Sequence, residues 1–228
     1  MTPSEPLRIL ITAGPTREPI DPVRFISNRS SGKMGYAIAE AAARAGHVVE
    51  LISGPVAILA PAQANVHLVP VETTRQMYDA VAARIGQADV AIMAAAVADY
   101  RPVHVSGQKI KKTRQPEWTL QLEKTEDILG SARAPFGFAG VLVGFAAETE
   151  NLEMNARDKL SRKRCDLIVA NDVSRSDIGF DSDANEISLF HADGQAESLP
   201  KGSKSGLARD LVRIIEGLVR DRMRATAP

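Results

Sequence analysis

The sequence predicts a doubly wound α/β fold: a mainly parallel sheet with a hairpin at its C-terminal edge and a projecting arm or flap. Three observations carry that expectation. Apolar runs of strand length alternate with segments of helical spacing along most of the chain, the order that generates crossover units. Runs such as ILITA, VVELIS and VLVGFAA are predominantly apolar without strict alternation, as in parallel strands covered on both faces. Near the end, EISLFHADGQAESLP sets strand, Asp-Gly turn and strand in succession, the pattern of an antiparallel hairpin.

The elements follow in order. Leu7 to Ala13 is a buried strand. Met34 to Ala45 is alanine-rich at helical spacing and stops at Gly46, and Val48 to Ser53 is the strand that completes a βαβ unit. Ala64 to Val71 predicts a third strand, Thr74 to Ile85 a helix with Thr73 or Thr74 as its cap, and Asp89 to Val97 a fourth strand. Arg101 to Glu123 breaks the rhythm: Pro102, Gly107, a lysine run and Pro116 precede the alternating TLQLE, and this is the predicted arm. Asp127 in KTEDIL falls at a helix start, where capping is the economical role. Val141 to Ala147 and Leu167 to Ala170 extend the sheet, separated by a charged helix from about Leu152 to Arg164. An amphipathic helix from Ser205 to about Arg222 closes the fold. Without internal repeats or low-complexity linkers, residues 1–228 are expected to form a single Rossmann-like domain, with mobile tails over about 1–6 and 223–228.

Composition removes several function classes. Lys and Arg number 28 and Asp and Glu 28, so net charge offers no attraction to nucleic acid or membrane, and any basic site must be local. Cys165 is the sole cysteine, which rules out an internal disulfide; entering a strand with no histidine nearby in sequence, it reads as a small buried side chain rather than a nucleophile. His47, His67, His104 and His191 show no metal-ligand spacing, and the sequence assigns no metal ligands. No apolar run approaches a membrane span and MTPSEPLR lacks a signal peptide's regions, so the expected location is cytoplasmic.

The most informative stretch is Ile9 to Gly35, ILITAGPTREPIDPVRFISNRSSGKMG. It joins a strand to a helix through a long polar loop carrying Arg17, Arg24, Asn28, Arg29, Ser30, Ser31, Gly32 and Lys33, far more than a connection needs. Gly32 and Gly35 are expected to let backbone approach a ligand, and the amides opening the helix near Met34 favour an anion. It matches neither common phosphate loop. A Walker A loop needs Gly where Ser27 stands and Ser or Thr where Met34 stands; a dinucleotide fingerprint needs an acidic residue where the second strand ends in Ser53.

In open parallel sheets ligands bind beyond the strands' carboxyl ends, which directs attention to AAAVADYRP, FAAETEN and ANDVS as well. Asp99 serves equally as a turn cap or as an acceptor for a base or ribose, beside small residues Ala94 to Ala96 that admit a flat ring. Lys109, Lys111 and Lys112 form either a solvated loop or a lid over phosphates. Lys159 and Lys163 lie one turn apart on one helix face, exposed or holding phosphate oxygens.

Taken in order, ITAGPTREPIDPVRFISNRSSGKMG, AAAVADYRP, KIKK, GFAAET, ARDKLSRK and AND resemble phosphopantothenoylcysteine synthetase, the phosphopantothenate cysteine ligase of coenzyme A biosynthesis, over essentially the whole chain. The resemblance implies a ligase that activates 4'-phosphopantothenate with CTP and Mg2+, forms an acyl-CMP intermediate and transfers the acyl group to L-cysteine. It assigns Asn28 to the carbonyl oxygen of that intermediate and Lys109, on the family's flap, to the triphosphate. Arg29, Ser30, Ser31 and Gly32 would surround the pantothenate and phosphate groups. Ala95, Asp99, Asp127, Ile128, Phe145, Lys159 and Lys163 would contact the nucleotide. The family commonly has Asn-Pro before this Asp, where this chain has Thr125 and Glu126. The resemblance also implies a homodimer in which one subunit's arm completes its partner's site. Many bacterial members carry a flavin-dependent decarboxylase ahead of the ligase; here the chain starts just before the ligase's first strand, which leaves two alternatives, a separately encoded decarboxylase partner or a longer protein of which this chain is the ligase piece. Two other classes compete: an NAD(P)-binding Rossmann oxidoreductase, and a noncatalytic nucleotide-sensing module that binds CTP without turnover.

Overall fold

Within Arg8–Ala13, Ile9 and Ile11 enter one apolar cluster while Leu10 enters another, and all three are buried. A strand covered on both faces requires that alternation. The computed structural model describes residues 5–112, 117–172 and 184–226. In chain order its elements are β1 (Arg8–Ala13), β2 (Arg17–Pro19), β3 (Phe25–Ser27), α1 (Lys33–Arg44), β4 (Val48–Ser53), β5 (Val66–Pro70), α2 (Thr74–Ala82), β6 (Val90–Met93), β7 (Tyr100–Pro102), β8 (Leu122–Lys124), α3 (Ile128–Ser131), β9 (Val141–Glu148), α4 (Leu152–Lys163), β10 (Leu167–Asp172), β11 (Ala184–His191), β12 (Ala196–Ser203) and α5 (Lys204–Thr226).

The main sheet runs β12-β11-β10-β9-β6-β1-β4-β5, parallel from β10 to β5 and antiparallel at β11 and β12. The expected hairpin edge is present. The chain winds outward from β1 through β4 to β5, then returns to place β6, β9 and β10 on the other side of β1. Neighbouring β1 and β6 therefore mark the reversal, the place where such sheets open a ligand crevice.

Helices cover the two faces unequally. α1 and α5 share one cluster, in which Ile38, Ala39 and Ala42 meet Leu207, Ala208 and Leu211. α2 and α4 share the other, with Met77, Val81, Ala156 and Leu160 against Leu10, Leu142 and Ile168. Each large aliphatic side chain buried this way contributes about 1.5–3 kcal/mol. Thr73, not Thr74, caps α2: its hydroxyl accepts from the Gln76 amide at 3.2 Å and Gln76 accepts the Thr73 amide in return at 3.3 Å. Thr74 is bonded instead to Glu18 Oε1, at 2.8 Å through its amide and 2.7 Å through its hydroxyl.

One expected boundary needs correction, and two irregular stretches contain structure of their own. The fourth strand stops at Met93 rather than Val97, because the chain swings over the end of β1: the Ala94 amide bonds the Thr12 carbonyl and the Ala96 amide the Gly14 carbonyl. The long loop after β1 contains a hairpin of its own; β2 and β3 pair antiparallel around a turn in which Asp21 accepts the amides of Val23 and Arg24. Arg101 to Glu123 has a paired base as well, β7 with β8, and β2 packs against β7, so both excursions form one projection.

Candidate active site

At the reversal point a cleft of about 1050 Å³ opens beyond the carboxyl ends of the strands. Asn28, Arg29, Ser30, Ser31 and Gly32 line it, as do Ala95, Asp99, Asp127, Ile128, Phe145, Lys159 and Lys163. Residues distributed over some 135 positions of sequence meet because the segments that carry them lie at or beyond the carboxyl ends of β1, β6 and β9. Lys109 is the exception. It is exposed and does not line this cleft; its neighbour Ile110 is tied to the β2–β3 turn, donating its amide to Asp21 Oδ2 at 3.1 Å and accepting Arg24 Nη2 at 3.1 Å.

Asn28 follows β3 at the cleft mouth. Its Nδ2 donates to the carbonyls of Ala96 at 2.9 Å and Val97 at 3.1 Å, which fixes the amide's orientation because both partners accept only. The nitrogen expected to hold a substrate carbonyl is therefore engaged by the segment after β6. Thr12, at the end of β1, supports the same segment by accepting the Ala95 amide at 3.2 Å.

Gly32 and Gly35 earn their place differently from expectation. Gly32 has φ 75° at the N-cap of α1, and a Cβ there would stand 2.6 Å from Val56 Cγ1. A Cβ on Gly35 would stand 2.6 Å from that of Ala13. The close approach these glycines permit is of α1 to β1 and to the loop after β4, which holds the Ser30–Lys33 turn at the cleft.

The opposite wall is cationic. Asp127 caps α3 by accepting the Gly130 amide at 2.8 Å, and its other oxygen pairs with Lys163. Partial burial pushes the Asp127 pKa upward, but Lys163 and the Gly130 amide outweigh it and hold the carboxyl below its ordinary range. Lys159 donates to the Phe145 carbonyl at 2.7 Å; burial lowers its pKa, opposed by the charge of Glu148. At the departure from the family pattern, Thr125 Oγ1 donates to the Ala98 carbonyl at 2.6 Å, while Glu126 accepts both 3.0 and 2.9 Å bonds from Arg101 Nη1 and a 3.3 Å bond from Arg75. The substituted pair still anchors the turn that presents Asp127.

Cys165 lies on the underside of this wall, 4% exposed, and burial pushes its thiol up to about 12, so it is no nucleophile at neutral pH. Among the described residues no group of three or more His, Cys, Asp or Glu stands ready to hold a metal. No helix among them is long and apolar enough to cross a membrane. The ANDVS motif is only partly visible, since 173–183 lies outside the described residues; Asn171 lines the cleft. Sequence reasoning did not assign Lys33, Arg162 or Lys204, which also line it. Lys33 stood in the loop without a role, and the only signal for Lys204 is its place at the start of a helix that follows an edge strand.

The family model described as DNA/pantothenate metabolism flavoprotein C-terminal domain matches residues 5–218. The Coenzyme A biosynthesis bifunctional protein CoaBC of Vibrio vulnificus is 47% identical over 95% of this chain and 54% of that protein; its Escherichia coli counterpart is 52% identical over 82% and 46%. The chain thus spans about half the length of these relatives. A crystal structure of the C-terminal domain of CoaBC superposes with a TM-score of 0.80 at 43% identity, covering 94% of this chain and 96% of that one. A complex of a Cab2 mutant with phosphopantothenate-cysteine shares the fold, with a TM-score of 0.81 at 16% identity, covering 96% of this chain and 88% of that one. Its continuous match and its doubly wound sheet make this chain a member of the DNA/pantothenate metabolism flavoprotein C-terminal domain family.

Proposed function

We propose that this chain is a phosphopantothenate cysteine ligase acting in coenzyme A biosynthesis, with CTP as the activating nucleotide. The observation that carries the reading is the cleft at the β1/β6 reversal, where the Asn28–Gly32 loop faces the cationic wall of Asp127, Lys159 and Lys163. Similarity to proteins named for coenzyme A biosynthesis supports the pathway. That those relatives are named bifunctional, and match here over about half their length, lends no support to a separately encoded decarboxylase partner. A cytoplasmic location is part of the proposal.

In the proposed reaction a carboxylate oxygen of 4'-phosphopantothenate attacks the α-phosphorus of CTP and pyrophosphate leaves. The amine of cysteine then attacks the acyl carbon, CMP departs with the bonding pair, and the ammonium proton is lost to solvent. Lys159 and Lys163 neutralise phosphate charge, and Asp127 orients Lys163. Mg2+ would supply further charge neutralisation at the triphosphate; such an ion takes one or two carboxylates and otherwise phosphate oxygens and water, and with Asp127 engaged by Lys163 and the Gly130 amide, Asp99 is the cleft aspartate that would hold it. Asn28 positions the Ala96–Val97 backbone through its amide nitrogen. Lys109, outside its own cleft, would reach a neighbouring subunit's cleft where the arm projects into it, as in the proposed homodimer.

The oxidoreductase reading loses its ribose anchor: Ser53 accepts from the Tyr36 hydroxyl at 2.9 Å and donates to the Gly54 carbonyl at 2.8 Å, within the fold rather than toward a ligand. Mass spectrometry with Mg2+, 4'-phosphopantothenate and CTP or ATP, with and without cysteine, tests the proposal. Acyl-nucleotide without cysteine and phosphopantothenoylcysteine with it are expected. CTP binding with no product would instead identify a sensing module.

A further inference from the structure

Behind the cleft lies a carboxyl group that the reaction does not use. Glu18, in β2, is only 2% exposed, and Thr16 and Thr74 beside it are fully buried. None of the three lines the cleft. Withdrawing a carboxyl group from water is costly unless hydrogen bonds replace the solvent, and here they do: Oε1 accepts both the amide of Thr74 at 2.8 Å and its hydroxyl at 2.7 Å.

Those two bonds give a direction to a longer chain. A hydroxyl has one hydrogen, and that of Thr74 goes to Glu18, so in its 3.0 Å contact with Thr16 Oγ1 it is Thr74 that accepts and Thr16 that donates. Thr16 Oγ1 accepts in turn from the Ala98 amide at 3.0 Å. The chain therefore runs from the Ala98 amide through two hydroxyls to Glu18, each group donating to the next, and in a buried chain each bond polarises its neighbour. Without the Glu18 acceptor the Thr74 hydrogen would turn to Thr16 Oγ1 or to the Ala98 carbonyl 3.5 Å away, which Thr125 Oγ1 already occupies at 2.6 Å.

The far end of the chain is a wall of the cleft. Ala98 precedes Asp99, which lines the cleft and whose carbonyl accepts the Thr125 amide at 3.0 Å. Asn28 holds Ala96 and Val97 from the loop, while the chain from Glu18 holds Ala98 from the buried side. Resting on the ligase reading, we propose that Glu18 is a positioning residue for the nucleotide: through Thr74 and Thr16 it fixes the Ala98 amide and with it the place of Asp99. It touches no substrate itself. Its partner Thr74 lies 56 positions away in sequence, so the juxtaposition exists only in the fold.

Steady-state pyrophosphate release by the full chain tests the assignment, with CTP and 4'-phosphopantothenate varied in turn for wild type, Glu18→Leu, Thr16→Val and Glu18→Gln. Glu18→Leu removes the terminal acceptor; Thr16→Val breaks the chain next to Ala98 while keeping a branched side chain. Each is expected to raise KM for CTP about 10-fold, the factor for one buried group left unsatisfied, and to weaken calorimetric CTP binding equally. KM for 4'-phosphopantothenate and kcat should stay within about threefold of wild type, the pattern of a lost binding contribution. Glu18→Gln keeps an oxygen able to accept both Thr74 bonds and should recover most of the loss. A lowered melting temperature with unchanged KM for CTP would make the chain structural only and overturn the assignment. An equal rise of both KM values would mark a cleft distorted as a whole and overturn it too, as would a Glu18→Gln no better than Glu18→Leu. Should Glu18→Leu fail to fold, Thr16→Val decides by the same KM values. A wild type that turns over, with variants that keep its KM for CTP, removes the inference while the ligase stands. A wild type that forms neither pyrophosphate nor product removes both.

Discussion

Asn28 shows how a residue's place and its role separate. Its position beside a polar Gly/Ser loop is legible in sequence, but its role depends on Ala96 and Val97, nearly seventy positions away, whose carbonyls take both of its amide hydrogens. Asn28→Asp would set carboxylate oxygens against those carbonyls and unseat the segment after β6. Amide formation is expected to fall by about 100-fold or more, with pyrophosphate release from CTP less affected and acyl-CMP accumulating in quenched samples. Equal loss of both half-reactions would contradict a role confined to the acyl group. Gly35 makes a stability prediction of the same local kind. Gly35→Ala drives a Cβ against Ala13, so thermal melts should show a loss of about 1–3 kcal/mol, the cost of overpacking a tight contact.

Among the elements, those carried by apolar periodicity were legible: β4 has the expected bounds, and α1, α4 and α5 lie within a few residues of theirs. The β2–β3 hairpin was not, because three-residue strands carry too little pattern and their cohesion is polar. Asp21 is its centre, bonded to the Val23 and Arg24 amides, to the Arg24 guanidinium at 3.0 Å and to the Ile110 amide. The Arg24 guanidinium, assisted by those amides against the effect of burial, holds the Asp21 carboxyl well below the usual carboxylate range. A depressed folded-state pKa means this latch is fully present above the unfolded value and is lost as pH falls through the folded one. Proteolysis within the arm should therefore stay slow at neutral and mildly acidic pH and accelerate only under stronger acid. In Asp21→Asn it should already be fast at pH 7; identical cleavage rates for the two proteins at pH 7 would show that the arm is held by other contacts.

At the scale of the whole molecule the apolar surface is unevenly placed. Of the eleven exposed large apolar side chains among the described residues, seven lie in or beside the projection: Val23, Phe25, Tyr100, Val103, Val105, Trp118 and Leu122. A clustered apolar surface of this kind marks an interaction site. The sequence could not reveal that clustering, since it arises only when two excursions distant in the chain pack through β2 and β7. The same projection carries Lys109 away from its own cleft. A homodimer formed through it would bury the apolar cluster and bring each Lys109 to the other subunit's site, which predicts complementation between two inactive variants. Lys109→Gln alone should suppress pyrophosphate release, and Asn28→Asp alone should suppress amide formation. Mixed by dissociation and reassociation, half the dimers pair one chain of each kind. In those dimers one cleft combines the intact Asn28 of one subunit with the intact Lys109 of its partner, and the other cleft lacks both. Product formation should then recover to about a quarter of the wild-type level, because random exchange makes half the dimers mixed and each has one working cleft of two. If Lys109 serves its own chain, every cleft in the mixture is defective and mixing restores nothing.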